Sequence, residues 1–485
     1  MNTYISALAA LSLLSQLPTY GERPNIVFII ADDISQEDLG CYGHPTIQSP
    51  HIDALAAAGM RFDNAYVTAS SCSPSRCSII TGRYPHNTGA PELHQLLPDD
   101  QVTFTKLLRD AGYYTILSGK NHMIGRNSQA FEKRSNGRGP GRQEDWVELL
   151  QNRPKDKPFF AWFASVDAHR PWNFDDNAPT YEHDQVVVPP YIIDNEVTRT
   201  DFTGYYHEVS RYDYYIGEVV AELKSQGVLD NTLILVTADN GRPFPRCKTR
   251  LYDSGLKTPW IVHFPKLISQ PATSDSLISS IDFSATCLEL AGVEIPPSVQ
   301  GVSFLPVLKD PKAKSRELIF GERNWHMYRG HERMVRFGDL VYIKNNTPND
   351  SNLSYESGTN YPSGTEMWKA QAAGQLSAMQ EQMFETQVEE LFDLTKDPMQ
   401  TNNLANNPEY AKALEQGRKL LGQWTKQTGD SVPDQLTPDK HAPPKIVDGE
   451  VIYPVRKGKI LRGTLPGSEN KATKINHPGP IWLKP

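Results

Sequence analysis

The sequence predicts an α/β protein: a large, mostly parallel sheet flanked by helices, followed by a smaller C-terminal α+β subdomain. Three observations carry this. The chain has 485 residues, 38% of them hydrophobic, ample for a large core. Continuous apolar runs of the kind expected in strands buried on both faces alternate with helix-period segments. The composition turns polar around Pro311 to Ser315, beyond which short strand-like runs replace the long alternation.

The first run, Ile26 to Ile30, is apolar and rich in β-branched residues and gives way after Ala31 to Asp32 and Asp33. Two adjacent carboxylates repel, and a cation between them removes the conflict; oxygen ligands favour calcium or magnesium over zinc. A simple turn cap is the competing reading. Ser49 and Pro50 open a helix closed by Gly59.

Next comes Ser71 to Gly89, SCSPSRCSIITGRYPHNTG. Pro74 suits the first turn of a helix, where its missing N–H costs nothing, which sets Cys72 just outside the helix N-terminus. Free N–H groups and the helix dipole favour an anion there, and Arg76, one turn in, adds a bidentate donor. For a lone cysteine a buried structural thiol is the better reading; the CxPxR spacing weighs against it. Glu92 and His94 follow in a stretch that reads equally as a surface loop or a substrate contact.

The segment TFTKLLRDAG predicts an amphipathic helix ending at Gly112, and the strand YYTILS leads to Lys120, Asn121 and His122. The buried strand Phe159 to Ser165 leads to Asp167 and His169. Residues 204–226 carry Tyr212, Ile216, Val219, Val220 and Leu223 at helical spacing, and the strand NTLILVT leads to Asp239 and Asn240. Polar clusters thus follow four strands, and in open parallel sheets ligands bind beyond the carboxyl ends of strands. The basic loop RCKTRLYDSGLKTP offers Arg246, Lys248, Arg250 and Lys257, either as solvated surface or as an anion clamp. A strand at Trp260 to Phe264 and a helix near DFSATCLELAG complete this part.

Here the residues match a known pattern: CxPSR followed by TGR resembles the signature of the type I sulfatases, whose cysteine is oxidised after synthesis to formylglycine. The resemblance runs from about Asn25 to Asp430 and implies an alkaline-phosphatase-like fold with a large mixed sheet. It implies that Asp32, Asp33, Asp239 and Asn240, with the modified Cys72, bind one divalent cation, usually calcium. Arg76 and Lys120 would hold the formylglycine and the sulfate, His122 would act on the hydrated aldehyde, and His169 would stand near the leaving group. Lys248 matches the lysine of the family's KxxxYxxG segment, here KTRLYDSG, and would bind sulfate or assist the leaving group. Within the family, SSCSPSR, the LHQ of Leu93 to Gln95, the DNGxPFP of Asp239 to Pro245 and FDLTKDP with NNLA resemble the sulfamidase-like polysaccharide sulfatases. Lys248 stands where sulfamidases carry arginine, and Asp253 and Lys257 follow the commoner sulfatase pattern, so N-sulfate and O-sulfate both stay open.

These readings give four segments: a signal peptide at 1–21 around the apolar run at 5–17, a catalytic α/β domain at 22–315, an α+β subdomain at 316–428, and an extended tail at 429–485. The expected protein is exported, works on a sulfated oligo- or polysaccharide, and depends on a formylglycine-generating maturation enzyme. His94, Trp325 and His326 are candidates for touching the sugar, with packing as the alternative. The net charge of −8 and the lack of a long basic run argue against nucleic acid, and no later segment is apolar enough for stable membrane insertion. The five cysteines, Cys41, Cys72, Cys77, Cys247 and Cys287, suit neither a zinc ribbon nor a disulfide scaffold. Two other functions compete: a phosphate or phosphonate ester hydrolase of the same superfamily, and a glycan-binding protein without activity.

Overall fold

The main sheet is built from β1 (Asn25–Ala31), β2 (Met60–Tyr66), β3 (Tyr114–Gly119), β4 (Lys133–Ser135), β5 (Phe159–Ala164), β6 (Thr232–Ala238), β7 (Trp260–His263) and β8 (Ala272–Ser279). In this computed structural model, residues 23–348, 356, 361–385, 387–441 and 444–452 are described. The signal-peptide expectation for 1–21 and the tail beyond residue 452 lie outside the described residues. The strand order is β4-β3-β5-β1-β6-β7-β2-β8. Only β7 runs against its neighbours; every other pair is parallel. The reason is local: the chain leaves β6 at its carboxyl end and stays there through residues 239–259, so it can only re-enter the sheet in the opposite direction.

All seven residues of β1 are buried. Ile26, Phe28 and Ile30 face one core with Ile79, Phe104 and Phe283, while Val27, Ile29 and Ala31 face another with Trp146, Phe202, Tyr205 and Tyr212. This is the period-two division of a strand covered on both sides. Each such aliphatic or aromatic side chain contributes about 1.5–3 kcal/mol relative to exposure. The long helix Glu196–Ser225 covers the second face and begins earlier than its apolar spacing indicates. Asn195 caps it by accepting from the Thr198 N–H at 2.9 Å, which secures a first turn rich in weak helix formers.

Because β1, β3, β5 and β6 are parallel, their ends meet in register: Ala31 lies beside Ala238, Ile30 beside Ala164, and Gly119 beside Ala164. Gly119 has φ of 89°, and a Cβ there would sit 1.9 Å from the Ala164 carbonyl oxygen, so only glycine lets the chain turn from β3 into Lys120.

The second sheet is antiparallel, in the order β12-β11-β10-β9, with β9 (Leu318–Arg323), β10 (Glu332–Phe337), β11 (Leu340–Asn345) and β12 (Glu389–Asp393). Helix Ala411–Thr428 lays Leu414, Leu420, Leu421 and Trp424 on one face, and Trp424 stacks on Phe320 at 5.0 Å. Leu251, Leu256 and Tyr66 of the larger part pack on the other. The Glu322 N–H donates to the Thr68 carbonyl at 2.8 Å, which ties β9 to the segment leading into Cys72.

The described part of the tail packs on the body. Asp430 takes both guanidinium branches of Arg333 at 2.6 and 2.9 Å, Thr437 donates to Glu92, and the Lys440 N–H donates to the Met327 carbonyl. Residues 445–447 and 450–452 form a short hairpin. All five cysteines are free.

Candidate active site

Cys72 is the first residue of helix Cys72–Thr81, with Ser71 as its extended N-cap, so the cysteine stands one position further into the helix than the sequence indicates. All ten helix residues are buried, and Cys72 is 2% exposed. The helix points its N-terminus at the edge where β1, β3, β5 and β6 end. Gly82 closes it in the left-handed conformation at φ of 66°.

Three carboxylates and three cations face one another there. The Cys72 sulfur lies 3.4 Å from Asp32 Oδ1 and 3.8 Å from Asp33 Oδ1. Ligand atoms of Asp32, Asp33, Cys72 and Asp239 all fall within 4.8 Å of one another. Each carboxylate has its own cation: Lys120 Nζ donates to Asp32, Lys248 Nζ to Asp33 Oδ2 at 2.6 Å, and Arg76 Nε to Asp239 Oδ2 at 2.7 Å. Arg76 also reaches the carbonyls of Lys120 at 3.2 Å and Ala31 at 3.4 Å, so one guanidinium clamps three strand ends.

Burial disfavours every one of these charges, and pairing decides the outcome. Burial would raise the Asp32 and Asp33 carboxyls, yet Lys120 and Lys248 hold them below the ordinary value. Asp239 is raised by burial, only partly offset by Arg76. Burial opposes charge on both lysines as well, but Asp32 and Asp33 keep them cationic. Burial and the neighbouring Asp32 push the Cys72 thiol well above its usual value, so an unmodified Cys72 is a neutral thiol and a poor nucleophile.

Asn240 donates its amide to Asp33 Oδ1 at 2.7 Å, while its amide oxygen is buried without a hydrogen-bond partner. An orphaned oxygen beside crowded carboxylates fits a hard divalent cation, since all the oxygen donors suit calcium or magnesium.

Histidines rim this nest. His169 keeps a nitrogen within 4.8 Å of the ligand atoms of Asp32 and Cys72, and its Nδ1 lies 2.7 Å from the Arg170 carbonyl. A carbonyl only accepts, so Nδ1 carries the proton and Nε2 is left for the cleft. Burial and Lys248 keep this ring neutral. His94 Nδ1 lies 2.7 Å from His122 Nε2, and His326 Nδ1 lies 2.7 Å from the Ser71 hydroxyl. Asp33, His94 and His122 all adopt left-handed backbone, at φ of 65°, 68° and 48°. Such conformations cost on the order of 1–3 kcal/mol each and cluster where a site fixes them.

The remaining candidates separate. Trp325 is 5% exposed, packs with Leu93, Met327, Tyr328 and Trp368, and donates its indole N–H to the Pro438 carbonyl at 2.9 Å. Of the basic loop, only Lys248 reaches the carboxylates. Arg250 pairs with Glu332 at 3.4 Å, and Arg246 lies over the Tyr252 ring at 4.1 Å.

Some contributing residues carry no sequence signal. Arg211, far along the long helix, grips both oxygens of Asp167 at 2.6 and 3.0 Å. The Asp167 carbonyl in turn receives the Asp32 N–H at 2.8 Å, which fixes the His169 turn against β1. Glu356 places a buried carboxylate 3.9 Å from Lys248 Nζ, and burial pushes it up to about 7 despite that lysine.

A parallel sheet whose strand ends gather carboxylates, cations and a helix N-terminus around one buried side chain is the architecture of an α/β enzyme for anionic groups. The Sulfatase family model matches residues 24–142 and 143–293. The chain belongs to the sulfatase family, and its members of known activity mark it as a sulfuric ester hydrolase. An ulvan-active sulfatase of Formosa agariphila is 30% identical over 88% of this chain and 84% of its own length. The N-sulphoglucosamine sulphohydrolase of Homo sapiens is 29% identical over 90% and 97%. A solved structure described as a complex with its substrate D-glucosamine-2-N,6-O-disulfate superposes with a TM-score of 0.68 at 24% identity, covering 85% of this chain and all of that one. The fold is thus the alkaline-phosphatase-like one.

Proposed function

We propose that this enzyme removes sulfate from a sulfated carbohydrate, as an O-ester or N-sulfate, using a formylglycine made from Cys72 and one hard divalent cation, calcium by preference. The observation that carries this reading is the nest itself: the ligand atoms of Asp32, Asp33, Cys72 and Asp239 lie within 4.8 Å, and an orphaned Asn240 oxygen stands beside them. The neutral thiol supports conversion of Cys72, because neither thiolate chemistry nor hard-cation binding suits it as it stands. Relatives named for ulvan, N-sulphoglucosamine and N-acetylglucosamine-6-O-sulfate support a saccharide substrate. Export is part of the same reading, since such polysaccharides lie outside the cell; among the described residues no helix is long and apolar enough to cross a membrane.

Asp32, Asp33, Asp239 and Asn240 would hold the cation, which when bound supplies positive charge to the sulfate oxygens and lowers the pKa of a coordinated hydroxyl. Hydrated formylglycine presents two hydroxyls. One attacks sulfur and the S–O or S–N bond to the sugar breaks; Asp239 is placed to take the attacking proton. Arg76, Lys120 and Lys248 donate to the sulfate oxygens as charge develops. Lys248, which carries a proton where His169 does not, protonates the departing sugar atom while His169 Nε2 orients it. His122 accepts the proton of the second hydroxyl, and collapse to the aldehyde releases sulfate; water then restores the hydrate.

The test is sulfate release across defined sulfated saccharides, including N-sulfated and 6-O-sulfated glucosamine and ulvan fragments, with mass spectrometry of the Cys72 peptide. Release from at least one saccharide, formylglycine in the active preparation, and no release by Cys72→Ala are expected. Full activity with an unmodified thiol would overturn the mechanism.

A further inference from the structure

We propose that His94 is a positioning residue for His122: its ring engages Nε2 and fixes the orientation of the His122 imidazole, so that Nδ1 is the nitrogen His122 presents to the reacting group at Cys72. This rests on the role given to His122 above, and it replaces the reading of His94 as a sugar contact.

The two rings meet through one bond, His94 Nδ1 to His122 Nε2 at 2.7 Å, with centroids 4.9 Å apart. That bond occupies Nε2. His122 Nδ1 is buried and has no hydrogen-bond partner among the described residues. A neutral imidazole has one N–H and one lone pair, so the contact holds one proton between the rings. If His122 donates it, Nδ1 is a bare acceptor able to take a proton; if His94 donates it, Nδ1 carries the hydrogen and can return one. In both arrangements the working nitrogen is Nδ1, and without His94 nothing in the contact selects between the two nitrogens of His122.

His94 is itself held in place. Its N–H donates to the Ser73 hydroxyl at 2.7 Å, on the residue after Cys72, and its backbone sits at φ of 68°. The preceding Leu93 N–H donates to the Trp325 carbonyl at 3.2 Å, and the Glu92 carboxylate accepts the Thr437 hydroxyl at 2.7 and 2.8 Å. The ring is therefore aimed by the helix that carries Cys72 and by the packed part of the tail.

The test compares His94→Leu with His94→Asn, whose amide can turn its oxygen to accept from His122 Nε2 where Nδ1 stood, on the saccharide desulfated fastest. His94→Leu should lower kcat by about 10- to 100-fold with KM changed less than about twofold, and His94→Asn should recover most of the loss. In a His122→Ala background, His94→Leu should cost nothing further. A rise in KM at unchanged kcat, equal losses for both substitutions, or losses that multiply in the His122→Ala background would overturn the proposal. Formylglycine content and melting temperature of each variant show whether the site is intact. An inactive or unconverted wild-type enzyme would instead fail the proposed function. The Nε2 contact is then still read directly: ring-nitrogen signals of histidine-labelled protein, with His122 assigned by substitution, should shift in His94→Leu, and an unshifted His122 would refute the proposal.

Discussion

Lys248→Met should destabilise the cation-free enzyme much more than the calcium-loaded one. Lys248 Nζ sits 2.6 Å from Asp33 Oδ2, with the two side chains 2% and 0% exposed. The substitution keeps the aliphatic stem and removes the charge, leaving Asp33 with two uncharged side-chain donors, the Asn240 amide at 2.7 Å and the Cys72 thiol at 3.8 Å. Breaking a buried pair from one side costs about 3–5 kcal/mol. At about 2 °C per kcal/mol for a large domain, the melting temperature in a chelator should fall by about 6–10 °C. The proposed calcium ion, if held by Asp32, Asp33 and Asp239, would supply the missing positive charge, so in excess calcium the fall should be less than half as large. The pH adds a check of sign. Asp33 is held below its ordinary carboxyl value, so its pairing contributes above about pH 4 and is lost as the pH falls through the lowered value. The difference between wild type and variant should accordingly shrink in acid. Equal falls with chelator and with calcium would refute the idea that lysine and cation compensate the same carboxylate.

Cys72→Ser, in contrast to Cys72→Ala, keeps one hydroxyl but not two; it should gain one sulfate per chain, seen as a mass increase, and then stop. His86→Asn tests the joint between the larger part and the second sheet: burial lowers the His86 pKa, but Glu322 at 2.6 Å and Asp430 outweigh it, so the ring is raised overall. A raised histidine contributes stability that is fully present below about pH 6.5 and lost as the pH rises through the folded value, so His86→Asn should cost more at about pH 6 than at about pH 9 in thermal unfolding. Trp325→Ala should lower stability by about 3–5 kcal/mol in denaturant unfolding, because the ring fills a packed cluster. A loss below about 1 kcal/mol with a raised KM would return Trp325 to the sugar.

The strands that end in chemistry were legible because their burial on both faces makes them continuous apolar runs: β1, β3, β5 and β6 each announce themselves, and each is followed by polar residues that meet in space. β4 carries Lys, Arg and Ser at the sheet edge, and β8 begins with polar residues on an exposed end, so neither shows a periodic apolar signal. The Arg211 to Asp167 grip and the approach of Glu356 join residues far apart in sequence, and no spacing rule reaches across such distances. The basic loop misleads in a different way. Its arginines look like solvated surface, yet Arg246 and Arg250 are buried against Tyr252 of the same loop and against Tyr191 and Glu332, and these last two arrive only once the chain is folded.

The charges of the nest also bear on how it could form before the proposed cation arrives. The carboxylates of Asp32, Asp33 and Asp239 each have one close cation, in Lys120, Lys248 and Arg76 respectively. That pairing lets the buried site fold without a metal ion, which an unpaired trio of carboxylates could not do at acceptable cost. A divalent cation would add two positive charges, and a sulfate ester or N-sulfate would bring one negative charge. On this reading the site loaded with both would keep a net positive charge toward the transferring group. Arg76 would stay clamped to three strand ends in either case, whereas Lys120 and Lys248 each carry one compact charge on a flexible stem. With the carboxylates engaged by the proposed cation, the two ammonium groups would turn donors toward the substrate, so the pairs that balance the carboxylates here would become groups that bind sulfate. That exchange would account for lysine at the two positions that switch partners, and arginine at the one that does not.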